Sequence, residues 1–111
     1  MALDPLAASE PSAQDLYQAL CRAVAKLGGF TEERKKTSIH LVRKSAFAGI
    51  APRKKHLVLT IKAARPLESP RVFKSEQTSK SRWHHEVRLA APSDIDKELL
   101  GWLAEAYALS E

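Results

Sequence analysis

The sequence predicts a small α+β domain: an antiparallel sheet of four or five strands flanked by an N-terminal and a C-terminal helix, in the order α-β-β-β-β-β-α. Three observations predict it. Apolar residues recur at helical spacing near both ends of the chain. Between those ends the recurrence changes to period two. A length of 111 residues with 44% apolar content suits a single core. Strands bracketed by helices, rather than alternating with them, favour an antiparallel sheet with both helices on one face.

The first helix opens at Pro11-Ser12, with Ser12 and Asp15 at capping-box spacing. Leu16, Leu20, Ala23, Val24 and Leu27 form its apolar stripe, and Gly28-Gly29 stops it. The segment from Met1 to Pro11 is read as a loose tail, which leaves residues 12–110 as the domain. The last helix starts at Pro92-Ser93-Asp94. Its early acids Asp94, Asp96 and Glu98 suit the positive end of a helix dipole. Ile95, Leu99, Trp102, Leu103 and Ala106 supply its stripe.

Five strands are expected between the helices. Thr37 to Arg43 sets Ile39 and Leu41 against Ser38, His40 and Val42. Ala46 to Pro52 is a short apolar run containing Gly49, and His56 to Ala63 sets Leu57, Leu59 and Ile61 against Val58, Thr60 and Lys62. A turn-rich connection from Arg65-Pro66 to Pro70 leads to a strand over Arg71 to Glu76, and a polar loop follows. Arg82 to Ala90 alternates most clearly: Trp83, His85, Val87 and Leu89 face one way, Arg82, His84, Glu86 and Arg88 the other. On this reading His85 is a core residue with hydrogen-bonded nitrogens. The predicted core is Leu16, Leu20, Val24, Leu57, Leu59, Ile61, Val87, Leu89, Leu99, Trp102 and Leu103.

Charge is segregated along the chain. The net charge is +5, but residues 1–30 carry −1, residues 31–88 carry +10 and residues 89–111 carry −4. Such an asymmetry makes a local field that favours an anionic partner. The residues expected to supply it are Arg43, Lys44, Arg53, Lys54, Lys55, Lys74, Lys80, Arg82, His84 and Arg88. Arginine suits bidentate recognition of phosphate or carboxylate, and lysine adds a point charge.

Several chemistries lack their residues. There is no phosphate-binding glycine loop, no dinucleotide fingerprint and no nucleophile elbow, so no cofactor is expected. Cys21 is the single cysteine, which rules out an internal disulfide and a cysteine-rich zinc site. It sits among apolar helical residues and is read as filler rather than nucleophile. His84 and His85 project to opposite faces of a strand and do not chelate one metal together; no metal is expected. No apolar run approaches the roughly 20 residues that span a bilayer, and the first residues lack the basic start and apolar stretch of a secretory signal. The expectation is a cytoplasmic protein with no membrane partner.

Several stretches together resemble a bacterial family known as domain of unknown function 5655. They are Lys36-Thr37 to Arg43, Ala46-Phe47-Ala48-Gly49 with Pro52-Arg53-Lys54, the strand RWHHEVRL from Arg82 to Leu89, and the helix DIDKELLGWLAEAY from Asp94 to Tyr107. The resemblance spans roughly residues 30–110, and its strand-and-helix close is its most specific part. It implies a small α+β domain and points to Arg43, Phe47, Lys54, Arg82 and His85. Some members bear a "predicted transport protein" label, but no established activity comes with the resemblance.

Three functional readings follow. The first is a non-catalytic binding module for an anionic partner, with nucleic acid ahead of small phosphorylated or carboxylated ligands. The second is a protein-interaction or homodimerisation domain, with acidic helix ends meeting basic sheets. The third is a small-ligand-binding protein, or an enzyme using His84 or His85 beside Arg82, for which Glu86 is the one nearby orienting carboxylate.

Overall fold

The computed structural model describes residues 5–7 and 9–110. Helix α1 (Pro11–Ala25) is followed by strands β1 (Thr31–Arg34), β2 (Ile39–Val42), β3 (Ala46–Pro52), β4 (Leu57–Ala63), β5 (Val72–Ser79) and β6 (Arg82–Leu89). A single 3-10 turn at Pro92–Asp94 precedes helix α2 (Lys97–Leu109). The strands form one antiparallel sheet in the order β1-β2-β3-β4-β6-β5. The class is as expected, with six strands rather than four or five.

The additional strand is β1, whose sequence Thr-Glu-Glu-Arg holds no apolar residue and shows no period-two signal. Edge pairing with β2 makes it a strand. Its covered side is tied to α1 by the Tyr17 hydroxyl, which donates to the Glu32 carboxylate.

Register assigns the two faces. Ile39 and Leu41 of β2, Ile50 of β3, Leu57, Leu59 and Ile61 of β4, and Val87 and Leu89 of β6 are fully buried on one side. Against them pack Leu16, Tyr17, Leu20 and Val24 of α1 and Leu99, Trp102, Leu103 and Ala106 of α2, in one continuous core. All eleven predicted core residues are buried. The other face of the sheet carries no helix. A bulge between β2 and β3 leaves Phe47 without a strand partner and turns its ring inward, edge-on to Phe30 and Tyr107 at centroid distances of 6.4 and 5.3 Å.

The helix ends differ from the expected boundaries. Ser12 lies inside α1; Glu10 occupies the cap position without a side-chain bond, and Pro11 takes the first helical turn, where its missing N–H costs nothing. At the other end, Asp94 accepts from the Ala90 and Ala91 amides (2.8 and 3.0 Å), and Asp96 caps α2 by accepting from Leu99 N–H at 3.0 Å. Helix α2 therefore begins at Lys97 rather than in the Pro92 turn. Gly28 adopts φ +143°, and a Cβ there would collide with the Tyr107 hydroxyl, which donates to the Gly29 carbonyl at 2.8 Å.

Within the segment expected to be a loose tail, Leu6 packs into the core, Ser9 Oγ donates to the Arg53 carbonyl at 2.8 Å, and Glu10 N–H donates to the Lys54 carbonyl at 2.8 Å. Residues 1–4 and 8 of that segment lie outside the described residues. No helix among the described residues is long and apolar enough to cross a membrane.

Candidate functional site

Two four-residue turns gather cations at one end of the sheet. Arg34 pairs with Ile39 across the β1–β2 turn, Pro52 pairs with Leu57 across the β3–β4 turn, and Ile39 pairs with Ile50 between the two hairpins. Both turns therefore emerge at the same end, about 10 Å apart at the usual strand spacing. Each is closed by its own backbone: Lys35 N–H donates to Ser38 O (2.7 Å) and Arg53 N–H to His56 O (2.8 Å). The backbone is thus held while the side chains of Lys35, Lys36, Arg53, Lys54 and Lys55 stand exposed. Lys35 has Glu33 at 3.7 Å. Among the described residues no carboxylate pairs with Lys36, Arg53, Lys54 or Lys55.

Arg88 adds to this end. It sits opposite Val58 on the uncovered face of β6, its guanidinium 5.6 Å from the Phe73 ring centroid. The imidazole of His56 senses the cluster: desolvation pushes its pKa down, and the charges of Arg88 and Arg53 push it further the same way.

The opposite end of the sheet uses its cations differently. Arg43 Nη1 donates to the Tyr107 carbonyl at 3.1 Å, with the guanidinium 4.4 Å from that ring's centroid. Lys44 N–H donates to the Ser110 carbonyl at 3.2 Å. These contacts satisfy carbonyls at the negative end of α2. Arg82 Nη1 donates to its neighbour's carbonyl, Ser81 O, at 2.8 Å, and Lys80 lies in the β5–β6 turn.

Elsewhere, part of the segregated charge meets within the molecule. Arg71 reaches Asp96 (2.9 Å), Glu98 (3.4 Å) and the Asp94 carbonyl (2.6 Å), and Arg65 makes a two-pronged pair with Glu105 (3.1 and 2.9 Å). Lys74 pairs with Glu86 at 3.6 Å. The ten residues expected to share one surface are therefore distributed. Arg53, Lys54, Lys55 and Arg88 lie at the first end, and Arg43, Lys44, Lys80 and Arg82 at the other. Lys74 and His84 lie on the uncovered face of β5 and β6. Lys35 and Lys36 join the first group and were missed because the β1–β2 hairpin was not expected; the Arg-Lys-Lys-Thr-Ser stretch before Ile39 was its only signal.

The uncovered face has a concavity of about 360 Å³. Its floor is β3, with Ala46, Gly49 and Ala51, and its sides carry His40 from β2 and Thr60 and Lys62 from β4. His84 stands directly across from Lys62. A smaller cleft of about 150 Å³ adjoins it, shares Lys62 and His84, and adds Arg82 and Thr78.

Two potential reactive groups are structurally committed. His85 is 1% exposed, with Nε2 donating to the Arg65 carbonyl at 3.0 Å and Nδ1 2.8 Å from Ser75 Oγ. A carbonyl only accepts, so Nε2 carries a proton, and Nδ1 shares the second hydrogen bond with the Ser75 hydroxyl. Its ring stacks on Trp83 at 5.9 Å and 5°. Cys21 is half-buried on α1, and burial pushes its thiol pKa up, away from nucleophilic thiolate. Among the described residues, no three metal-ligating side chains converge.

Comparison with known proteins found no match among curated proteins or solved structures. The family model of a domain of unknown function, DUF5655, matches residues 4–110. That range takes in α1, which the resemblance over residues 30–110 leaves out. Matched across nearly its whole length, the chain belongs to the DUF5655 family.

Proposed function

We propose that this domain is a non-catalytic binding module for an anionic partner, and that the partner class is nucleic acid held at its phosphates by the two neighbouring hairpins. The observation that carries the reading is the pairing of Lys35-Lys36 with Arg53-Lys54-Lys55 on backbone-locked turns at one end of the sheet, four of the five without a carboxylate partner among the described residues. Pre-held turns lower the ordering cost of binding, and a row of lysines engages phosphates without reading bases. The exposed aromatic Phe73 is occupied by Arg88, so the reading is of binding indifferent to base sequence. It places the domain in the cytoplasm, where a lone thiol stays reduced.

The test is titration of the full chain with labelled single- and double-stranded oligonucleotides of unrelated sequence, at low and physiological salt. If each of the five turn cations neutralises one duplex phosphate, log K falls against log salt with a slope of about −4.5. Similar affinities across sequences support the reading. An absence of binding at low salt overturns it.

A further inference from the structure

A separate feature on the uncovered sheet face points to a second ligand. We infer that the concavity over β3 binds a small planar aromatic carboxylate, its ring laid on Ala46, Gly49 and Ala51 and its carboxylate directed to Lys62 and His84. The site is independent of the hairpin cations, which lie at the end of the sheet rather than on its face.

Side-chain size gives the concavity its shape. Along the uncovered side of β3 no side chain extends beyond Cβ at positions 46, 49 and 51, while β2 and β4 raise His40, Thr60 and Lys62 on either side. Those two strands stand about 10 Å apart, wide enough for an aromatic ring to lie flat between them. His40 leans over the glycine: its Cδ2 would lie 3.7 Å from a Cβ at Gly49, with Thr60 Cβ at 4.0 Å on the other side. The opening of about 360 Å³ falls in the size range of small-ligand sites.

Lys62, His40 and His84 are half-buried, and among the described residues none of their side chains makes a hydrogen bond or ion pair. A half-buried ammonium without an acid gains a charge-assisted bond when a carboxylate arrives. Phosphate fits less well. From Ala48 to Ile50 the β3 backbone is paired with β2 and β4 on both sides, so that stretch offers phosphate no cradle of free amides. The alanine and glycine floor also gives a bare phosphate nothing to pack on.

The experiment is a ¹H–¹⁵N chemical-shift titration of the full chain with 2-naphthoate, alongside neutral 2-naphthol and inorganic phosphate. Saturable shifts at Gly49, Ala51, Thr60, Lys62 and His84 with 2-naphthoate are expected, with about tenfold weaker binding for 2-naphthol. Lys62→Gln should weaken 2-naphthoate by about tenfold. Gly49→Ala, which meets only ordinary contacts and leaves the fold intact, should raise the floor and weaken binding as well. No saturable shift at these residues overturns the inference. So do shifts confined to Lys54 and Lys55, inorganic phosphate matching 2-naphthoate at Lys62, or a Lys62→Gln protein that binds as well as the unaltered chain.

Discussion

The two faces of the sheet are made from alternate residues of the same strands, and they do different work. On β6, His85, Val87 and Leu89 point under the helices and are buried, while His84, Glu86 and Arg88 point outward. On β4, Leu59 and Ile61 are fully buried, while Thr60 and Lys62 border an open concavity. The adjacent histidines show the contrast at one residue's separation. His85 has both ring nitrogens hydrogen-bonded and serves the fold, whereas His84 has no such partner among the described residues and faces the concavity. Period two thus separates a packed side from an open one, so substitutions on the two sides should separate in their readouts.

The largest stability effect is expected beneath the helices. Leu103 is fully buried in the shared core, and Leu103→Ala should cost about 2–5 kcal/mol in chemical unfolding. A loss well below 1 kcal/mol, an order-of-magnitude bound for surface changes, would break the distinction between covered and open faces. His85→Leu comes next. It leaves the Arg65 carbonyl and Ser75 hydroxyl without their partner and should cost about 1–3 kcal/mol. His84→Leu should leave the unfolding midpoint nearly unchanged, and equal losses at the two positions would contradict the register.

A smaller effect is expected at the α2 cap. The Leu99 amide, followed by Arg71, holds the Asp96 carboxyl below its usual range. Because the folded pKa is lowered, the stability it contributes is present above the ordinary carboxylate range and lost as pH falls through the folded value. Asp96→Asn removes that titration, so its unfolding midpoint should lose less on acidification than the unaltered chain's. The smallest stability effect belongs to the hairpin tips. Lys54→Ala with Lys55→Ala should change stability by no more than about 0.5 kcal/mol, because those exposed side chains make no carboxylate pair among the described residues.

How much of this was legible in the sequence follows from which signals depend on neighbours. Val87 and Leu89 alternate with Glu86 and Arg88, and Leu99, Trp102 and Leu103 recur at helical spacing; those patterns were enough to assign core and class. β1 was not legible, since Thr-Glu-Glu-Arg is a strand only because β2 offers an edge. With β1 missing, Lys35 and Lys36 read as a loop beside a strand instead of a hairpin tip. The charge totals were legible, but their use was not. Arg43, Arg65 and Arg71 pair with carbonyls and carboxylates of the acidic last segment, contacts separated by 64, 40 and 25 residues along the chain. The concavity was hidden for a related reason: Ala46, Gly49 and Ala51 read as an apolar run until their neighbours on β2 and β4 are known.

We propose that one end of the sheet, rather than charge in general, holds the anionic partner. The most direct test compares two double variants of equal charge change, Lys54→Ala with Lys55→Ala and Lys80→Ala with Arg82→Ala, in duplex titrations over a range of salt. The Lys54/Lys55 variant should bind more weakly, with a salt slope smaller in magnitude by about 2. The Lys80/Arg82 variant should keep nearly the full slope. Equal losses in the two variants, or a larger loss from Lys80 and Arg82, would contradict the assignment of binding to the paired hairpins.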